Sequence, residues 1–260
     1  MLRSFGWLAK GLARWTAPRC GRQAAASKGA LLGSSRVQLW NATARFHESE
    51  QAKDYALPNS SWRKDMVNEF NKFMEMVKGG TWKKLPSYRN IVYYAPERMR
   101  QGNEPKKDRA TRLFLRNIDD EGMGFEYAMF FNPSEKRMVC MFQPGPYLEG
   151  PSGFAHGGSI ATILDATLGK CAIQVAGMVM TAHLSINYKS PIPLGSVVLV
   201  DCKLDQMEGR KVFMTGQVQS IDGQTVHVES TALFIQLQAQ DITQLQTKSF
   251  IQQQLPSSCA

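Results

Sequence analysis

The sequence contains few cysteines, and they are not arranged in pairs. The five of them are spread along the 260 residues, at Cys20, Cys140, Cys171, Cys202 and Cys259. This spacing disfavours a disulfide framework and a cysteine-based zinc site, and it indicates a reducing compartment.

The sequence also lacks an uncharged apolar run long enough to span a membrane. The most apolar stretch, Ser159 to Ala182, carries Asp165, Lys170 and Gln174. An ionised residue near the centre of a membrane span costs about 2.5–3.5 kcal/mol. This stretch therefore predicts a buried helix followed by a strand, and no transmembrane segment.

Acidic residues are absent from the first 47 positions, which hold eight basic residues, and the first acid is Glu48. The rest of the chain has 23 basic against 22 acidic residues, a formal charge of +1. The overall charge of +9 therefore belongs to the N-terminus and gives no support for nucleic-acid binding.

The same N-terminus has Trp7, Leu8, Leu12 and Trp15 among its basic residues, which is typical of a mitochondrial transit peptide. We expect the transit peptide to cover residues 1–40. The alternatives are a disordered basic arm and a helix that lies on anionic lipid.

A helical region and a connector are predicted over residues 41–112. Ser60 and Ser61 can cap a helix that ends at Gly79-Gly80. Its apolar positions recur at steps of three and four, at Trp62, Met66, Phe70, Phe73 and Val77. The stretch from Trp82 to Arg112 is rich in proline and charge and predicts a connector.

An α+β domain is predicted over residues 113–240, followed by a flexible tail at 241–260. Two strands, Phe125 to Asn132 and Arg137 to Gln143, form a hairpin, and a glycine- and proline-rich loop leads to a helix from about Gly157 to Val175. Four strands follow, at about Val179 to Tyr188, Val197 to Met207, Lys211 to Ser220 and Thr225 to Leu237. Since no helix separates them, we expect antiparallel neighbours in a sheet wrapped around an apolar central helix.

The start of the central helix is a candidate binding site for a carbonyl oxygen. The stretch FAHGGS places His156 before two glycines, where the first N–H groups of the helix have no internal partner. Such donors suit an oxygen that gains negative charge in a reaction. The alternative is a glycine-rich entry to a tightly packed helix.

Asp165 lies among apolar residues of this helix, where a carboxylate needs a partner or a function. It follows Gly157 by eight residues, or about 12 Å along the axis. One chain therefore cannot place both groups on one reacting carbon, and a shared site requires a homodimer with antiparallel helices. The alternative is a structural carboxylate bonded to Thr162, Thr167 or nearby backbone.

The strand after the helix predicts one polar face. In MTAHLSINYK the alternate residues are Thr181, His183, Ser185, Asn187 and Lys189. This face is either solvated or a track for an extended ligand. Arg210 and Lys211, which begin the strand after the EGRK turn, are candidates for phosphate contacts.

The ordered segments of the chain resemble a known family. HGG followed nine residues after the histidine by Asp, on the helix of a helix-then-four-strands unit, resembles the hotdog-fold acyl-CoA thioesterases. NSSWRKDM, GFEYAMFF, DATLG, INYKSPIPL and EGRK resemble the branch of thioesterase superfamily members four and five (carboxyl-terminal modulator protein-like). The resemblance covers roughly Tyr55 to Leu237.

The resemblance implies a hotdog fold and a homodimer, or a higher assembly, with active sites at the interface. It implies that Asp165 is the catalytic carboxylate, that His156 and Gly157 hold the thioester carbonyl and that Thr181 helps to place Asp165 and water. Its implied coenzyme A contacts are Asn187, Lys189, Arg210 and Lys211. His183 departs from the family pattern, which has Asn or Ser there.

The expected function is hydrolysis of medium- or long-chain fatty acyl-CoA to a fatty acid and coenzyme A, without a metal or redox cofactor. Asp165 would act as a general base or as a nucleophile. The alternatives are a non-catalytic protein of the same fold that binds acyl-CoA or regulates a signalling kinase, and a dehydratase. We expect a mitochondrial protein, in the matrix, with a cytosolic or membrane-associated pool as the alternative.

Overall fold

A computed structural model describes residues 53–89, 112–238 and Asp241. Helix α1 covers Lys64–Lys78 and helix α2 covers Gly157–Ala176. The strands of the described part are β1 (Lys83–Leu85), β2 (Phe125–Asn132), β3 (Arg137–Pro144), β4 (Val179–Tyr188), β5 (Val198–Glu208), β6 (Lys211–Ser220) and β7 (Val226–Gln236). The predicted transit peptide and most of the predicted tail lie outside the described residues.

These strands form one antiparallel sheet in the order β1-β2-β3-β5-β6-β7-β4. The predicted hairpin is confirmed as β2 and β3. Strand β1 was not predicted, because its three residues lie in the stretch interpreted as a connector. The expectation that β4 and β5 are neighbours is wrong: β4 pairs with β7, and β5 pairs with β3.

Helix α2 packs on the inner face of the sheet, against β3 to β7. Its side chains Ile163, Leu164, Leu168 and Cys171 are fully buried there. The predicted sheet wrapped around a central helix is confirmed, although the sheet does not cover every side of the helix. One stripe of the helix remains at least partly exposed; it consists of Gly158, Ala161, Thr162, Asp165, Ala166 and Gly169.

Helix α1 packs on the outer face of the sheet, near β2 and β3. Its predicted apolar side is confirmed: Met66, Phe70 and Phe73 are buried, and the rings of Phe70 and Phe73 contact Phe130 of β2. The predicted capping by the two serines is wrong. The helix starts later, its N-cap Arg63 makes no side-chain capping bond, and the serines lie in the turn before it.

No helix among the described residues is long and apolar enough to cross a membrane. The stretch that raised this question is divided between α2 and the first part of β4, and Gly177 (φ 83°) separates the two. Glycine has no side chain and adopts a positive φ without strain, so Gly177 can end the helix at this point.

Candidate functional site

The first turn of α2 leaves one backbone donor free. Gly158 N–H donates to His156 Nδ1 at 2.8 Å, while the N–H groups of Ser159 and Ile160 donate to the His156 carbonyl. The N–H of Gly157 has no acceptor among residues 53–89 and 112–238. Because the positive end of the helix dipole lies here, this N–H is suited to a carbonyl oxygen.

The contact with Gly158 also fixes the proton position on the His156 ring. A ring nitrogen that accepts a hydrogen bond carries no proton, so the neutral imidazole has its proton on Nε2. His156 is exposed. Its Nε2–H is therefore a second donor at the start of α2.

Asp165 is held by the strand that follows its own helix. Thr181 Oγ1 on β4 donates to Asp165 Oδ1 at 2.9 Å. The two threonines considered as structural partners donate elsewhere: Thr162 to Gly158 O at 2.8 Å, and Thr167 to Ile163 O at 2.7 Å. The other carboxylate oxygen, Asp165 Oδ2, has no partner in the described part of the chain, and it can accept a bond from water.

Strand β4 does not present the continuous polar face that alternation predicted. The pairing with β7 shifts register between Thr181 and His183, and such a bulge turns one side chain to the other face. Thr181 therefore points towards α2, and His183 and Asn187 point to the outer face. The predicted face is wrong as a single track, and its break is what lets Thr181 reach Asp165.

The predicted coenzyme A contacts lie at opposite ends of β4. Lys189 follows the last residue of β4 and forms an ion pair with Glu229 of β7. At the other end, Lys211 is in register with Ile235, which faces Met180 of β4. Lys189 is nine residues from Met180, or about 31 Å along an extended strand. One chain therefore does not bring these cations together.

Arg210 is positioned by the end of β7 and the residues that follow it. Its Nε donates to Gln236 O at 3.0 Å and its Nη2 to Asp241 Oδ2 at 2.6 Å. The guanidinium group remains partly exposed. An anionic ligand at Arg210 would compete with the carboxylate of Asp241 for the guanidinium group.

Two features of the site were missed by sequence reasoning. Tyr188 Oη donates to the Gly157 carbonyl at 2.8 Å. Its signal was present, since Leu184, Ile186 and Tyr188 alternate along the side of β4 that faces α2. The second feature is an open groove of about 490 Å³ at the start of α2, whose apolar lining is Phe114, Ile118, Phe125, Tyr147 and Leu148.

The described residues contain no group of three or more His, Cys, Asp or Glu side chains that could hold a metal ion. Helix α2 and the histidine before it present two hydrogen-bond donors at one end and a threonine-bonded carboxylate about 12 Å along the axis.

Comparison with known proteins defines the class. The family model of the thioesterase superfamily matches residues 152–227, from the loop before His156 into β7. A thioesterase from Streptococcus pneumoniae, solved with coenzyme A, is 20% identical with a TM-score of 0.37, over 38% of this chain and 79% of that one. The chain has the hotdog fold of the thioesterase superfamily, and relatives of much higher identity show that it is a member.

The relatives narrow this class to one family. Acyl-coenzyme A thioesterase THEM4 of Xenopus laevis is 52% identical over 74% of this chain and 85% of its own length. Acyl-coenzyme A thioesterase THEM5 of Mus musculus is 44% identical over 82% of this chain and 86% of its own. The chain belongs to the family of the acyl-coenzyme A thioesterases THEM4 and THEM5.

Proposed function

We propose that two copies of this chain form an acyl-CoA thioesterase with two shared active sites. The observation that carries the proposal is the division of chemistry along α2. A free N–H at Gly157 and a carboxylate at Asp165 held by Thr181 lie about 12 Å apart on one helix. Reaction at one carbon needs both groups within about 3 Å of the reacting atoms, so the two must come from different chains.

Strand β4 supports this assembly, because it is the edge of the sheet and is largely exposed. Met180 is 53% and Tyr188 49% accessible. An exposed edge strand offers unpaired backbone groups to another strand. We place the two-fold axis at Ser185, with the β4 strands of the two chains antiparallel, so that Leu184 lies opposite the partner's Ile186 and the bulge brings Thr181 opposite the partner's Tyr188.

With this axis, each active site combines one half from each of the two chains. Thr181, which holds Asp165, lies opposite the partner's Tyr188, which contacts the partner's Gly157. The same axis brings the end of β4 near Lys211 towards the partner's Lys189. One symmetry operation thus resolves both separations, that of the reacting groups and that of the cations.

In the proposed reaction, Gly157 N–H and His156 Nε2–H donate to the thioester carbonyl oxygen. Asp165 of the other chain takes a proton from water as the water attacks, or it attacks the carbonyl carbon itself and forms a mixed anhydride that water then hydrolyses to free the carboxylate again. The carbon–sulfur bond breaks, a fatty acid forms, and the sulfur leaves as the thiolate of coenzyme A and takes a proton. Thr181 holds the carboxylate in place.

Acyl-coenzyme A as the substrate is supported by the names of the relatives. Lys189, Arg210 and Lys211 supply the positive charge for its phosphates, and Asn187 lies beside Lys189. The groove lined by Phe114, Ile118 and Tyr147 opens at His156 and Gly158. Its apolar side chains suit a medium or long acyl chain.

The substitution Asp165→Asn tests the function. It keeps the size of the side chain and removes the charge, so kcat should fall by about 10²- to 10⁴-fold, while acyl-CoA binding and the dimer persist. Asp205→Asn, on β5, is the matched control and should leave kcat unchanged. Binding of acyl-CoA without hydrolysis by the wild-type protein would instead support the non-catalytic alternative.

We also propose that the protein acts in the mitochondrial matrix after residues 1–40 direct its import. The support is the run of basic residues without an acid before Glu48. The protein in cells should then be mitochondrial and shorter than the full chain. Full-length protein confined to the cytosol would contradict this.

A further inference from the structure

One peptide group at the start of α2 lies between two side chains. Tyr188 Oη donates to the carbonyl oxygen of Gly157 at 2.8 Å. The N–H of the same peptide group belongs to Gly158 and donates to His156 Nδ1 at 2.8 Å. A planar peptide therefore joins the phenol at the end of β4 to the imidazole that precedes α2.

Hydrogen bonds in such a chain strengthen one another. A carbonyl that accepts a bond polarises its amide, and the amide N–H becomes a better donor. Partial burial raises the pKa of Tyr188 above its ordinary value, so the hydroxyl group keeps its proton and donates at neutral pH. The tyrosine hydroxyl thus reinforces the bond that holds the proton of His156 on Nε2.

Because Gly157 and Gly158 have no side chains, the rings of Tyr188 and His156 can both lie close to this peptide group. A methyl group added at Gly158 would lie 2.9 Å from His156 Nδ1, which is too short for a carbon–nitrogen contact. A methyl group added at Gly157 would lie 3.7 Å from the Tyr188 ring, an ordinary contact. The imidazole therefore sits directly against Gly158, and the phenol ring lies against Gly157.

We propose that Tyr188 is a positioning residue that acts on His156 through the Gly157–Gly158 peptide. It holds the ring in the orientation and tautomer that present Nε2–H to the carbonyl of the substrate. The catalytic consequence rests on the proposed function, but the effect on the His156 ring does not.

The test uses nitrogen-15 NMR of the histidine side chains in the full chain, without ligand, at neutral pH. The resonances of His156 are assigned by their loss in His156→Gln. Wild-type protein should show His156 with its proton on Nε2. Tyr188→Phe keeps the ring and removes only the hydroxyl, so the signals should move towards a mixture of tautomers.

Two further variants sharpen this test. Gly158→Ala should displace the imidazole and give the same mixture while Tyr188 stays intact. Tyr55→Phe removes a hydroxyl outside the site and should leave the His156 signals unchanged. Unchanged His156 signals in Tyr188→Phe, in a protein that melts like wild type, would overturn the proposal.

Kinetics test the consequence for catalysis. Tyr188→Phe should lower kcat by about 3- to 10-fold, the range for one lost hydrogen bond, and leave KM near normal. Added to His156→Gln, it should have little further effect, because both changes act on one ring. A full additional loss would contradict the coupling. If no acyl-CoA were hydrolysed at all, the proposed function would fail, and the NMR result would still decide the role of Tyr188.

Discussion

At the scale of single residues, hydrogen bonds decide which atoms of α2 remain free for a substrate. His156 uses Nδ1 to accept from Gly158 and leaves Nε2–H exposed. Asp165 uses Oδ1 to accept from Thr181. Each group is thus fixed through one atom and can react or bind through the other.

The cation at the end of β4 gives a prediction about binding. Replacing Lys189 by Ala should raise KM for acyl-CoA and change kcat little, because a charged hydrogen bond to phosphate contributes about 1–3 kcal/mol. Replacing its partner Glu229 by Gln should lower KM, since the lysine is then released from its ion pair. Steady-state kinetics at low salt measure both.

Lys72→Ala on α1 is the matched control for this prediction. It removes an exposed lysine that is also ion-paired, in that case with Glu69, and should leave KM unchanged. If Lys189→Ala and Lys72→Ala gave the same KM, Lys189 would not contact the phosphates.

Lys170 gives a prediction about pH. Burial lowers the pKa of Lys170 on α2 to about 8, whereas an unfolded lysine titrates near 10.4. Between these values the unfolded chain binds more protons, so this residue makes the free energy of unfolding rise as pH rises from about 8 to 10.4. Lys170→Met should lack this rise, as measured by urea unfolding across that range.

Two buried thiols have the opposite effect on the free energy of unfolding, which they lower as pH rises through this range. Burial raises the pKa of Cys140 to about 12 and that of Cys202 well above its ordinary value. Their contribution to stability is present below the pKa of an unfolded thiol and is lost above it. Both proteins keep these thiols, so most of this effect drops out of the difference between wild type and Lys170→Met, apart from the influence of the Lys170 charge on the Cys140 pKa. A difference independent of pH would show that Lys170 does not titrate in this range.

At the scale of elements, the two helices have separate tasks on opposite faces of the sheet. Phe73 of α1 is buried, and its ring contacts Trp82 at 5.1 Å and Phe130 at 4.9 Å between centroids. Phe73→Ala should reduce the free energy of unfolding by about 3–5 kcal/mol. Below its melting temperature its kcat should stay near normal, because α1 and α2 pack in separate core clusters on opposite faces of the sheet.

Leu57→Ala removes an apolar side chain that is 48% exposed and should change stability by less than about 0.5 kcal/mol. It is the control for loss of apolar surface outside the core. A large loss of kcat in folded Phe73→Ala would show that α1 supports the site as well as the sheet.

Much of this architecture could be predicted, because the period of the apolar residues is local information. The steps of three and four in α1 and the turns between β2 and β3 and between β6 and β7 lie within the sequence of each element. The pairing of β4 with β7 could not be predicted, since strands with no helix between them can still join distant neighbours. The bulge at Thr181 was hidden because a register shift depends on the partner strand.

For the candidate site, too, only the features that depend on local sequence could be predicted. His156, Gly157 and Asp165 stand out in the sequence as a helix start and a carboxylate among apolar residues. The contacts from Thr181 and Tyr188 depend on how β4 crosses α2, which no short motif contains. Strict alternation even placed Thr181 on the wrong face of β4.

At the scale of the whole molecule, the proposed active sites require a two-fold axis through the middle of β4. The reacting groups and the cations are each divided between the two ends of this strand within one chain. A single axis at Ser185 reunites both sets, so the two chains would form two complete sites. Neither chain alone would hold one.

The most direct test of this shared site mixes two inactive variants. Asp165→Asn removes the carboxylate. Gly157→Pro removes the free N–H at a position where proline fits the first turn of a helix. In a heterodimer, one site carries both defects and the other carries neither.

We predict that verified heterodimers recover about half of the wild-type activity, as two inactive parents complement each other. Heterodimers as inactive as their parents would contradict a site built from two chains.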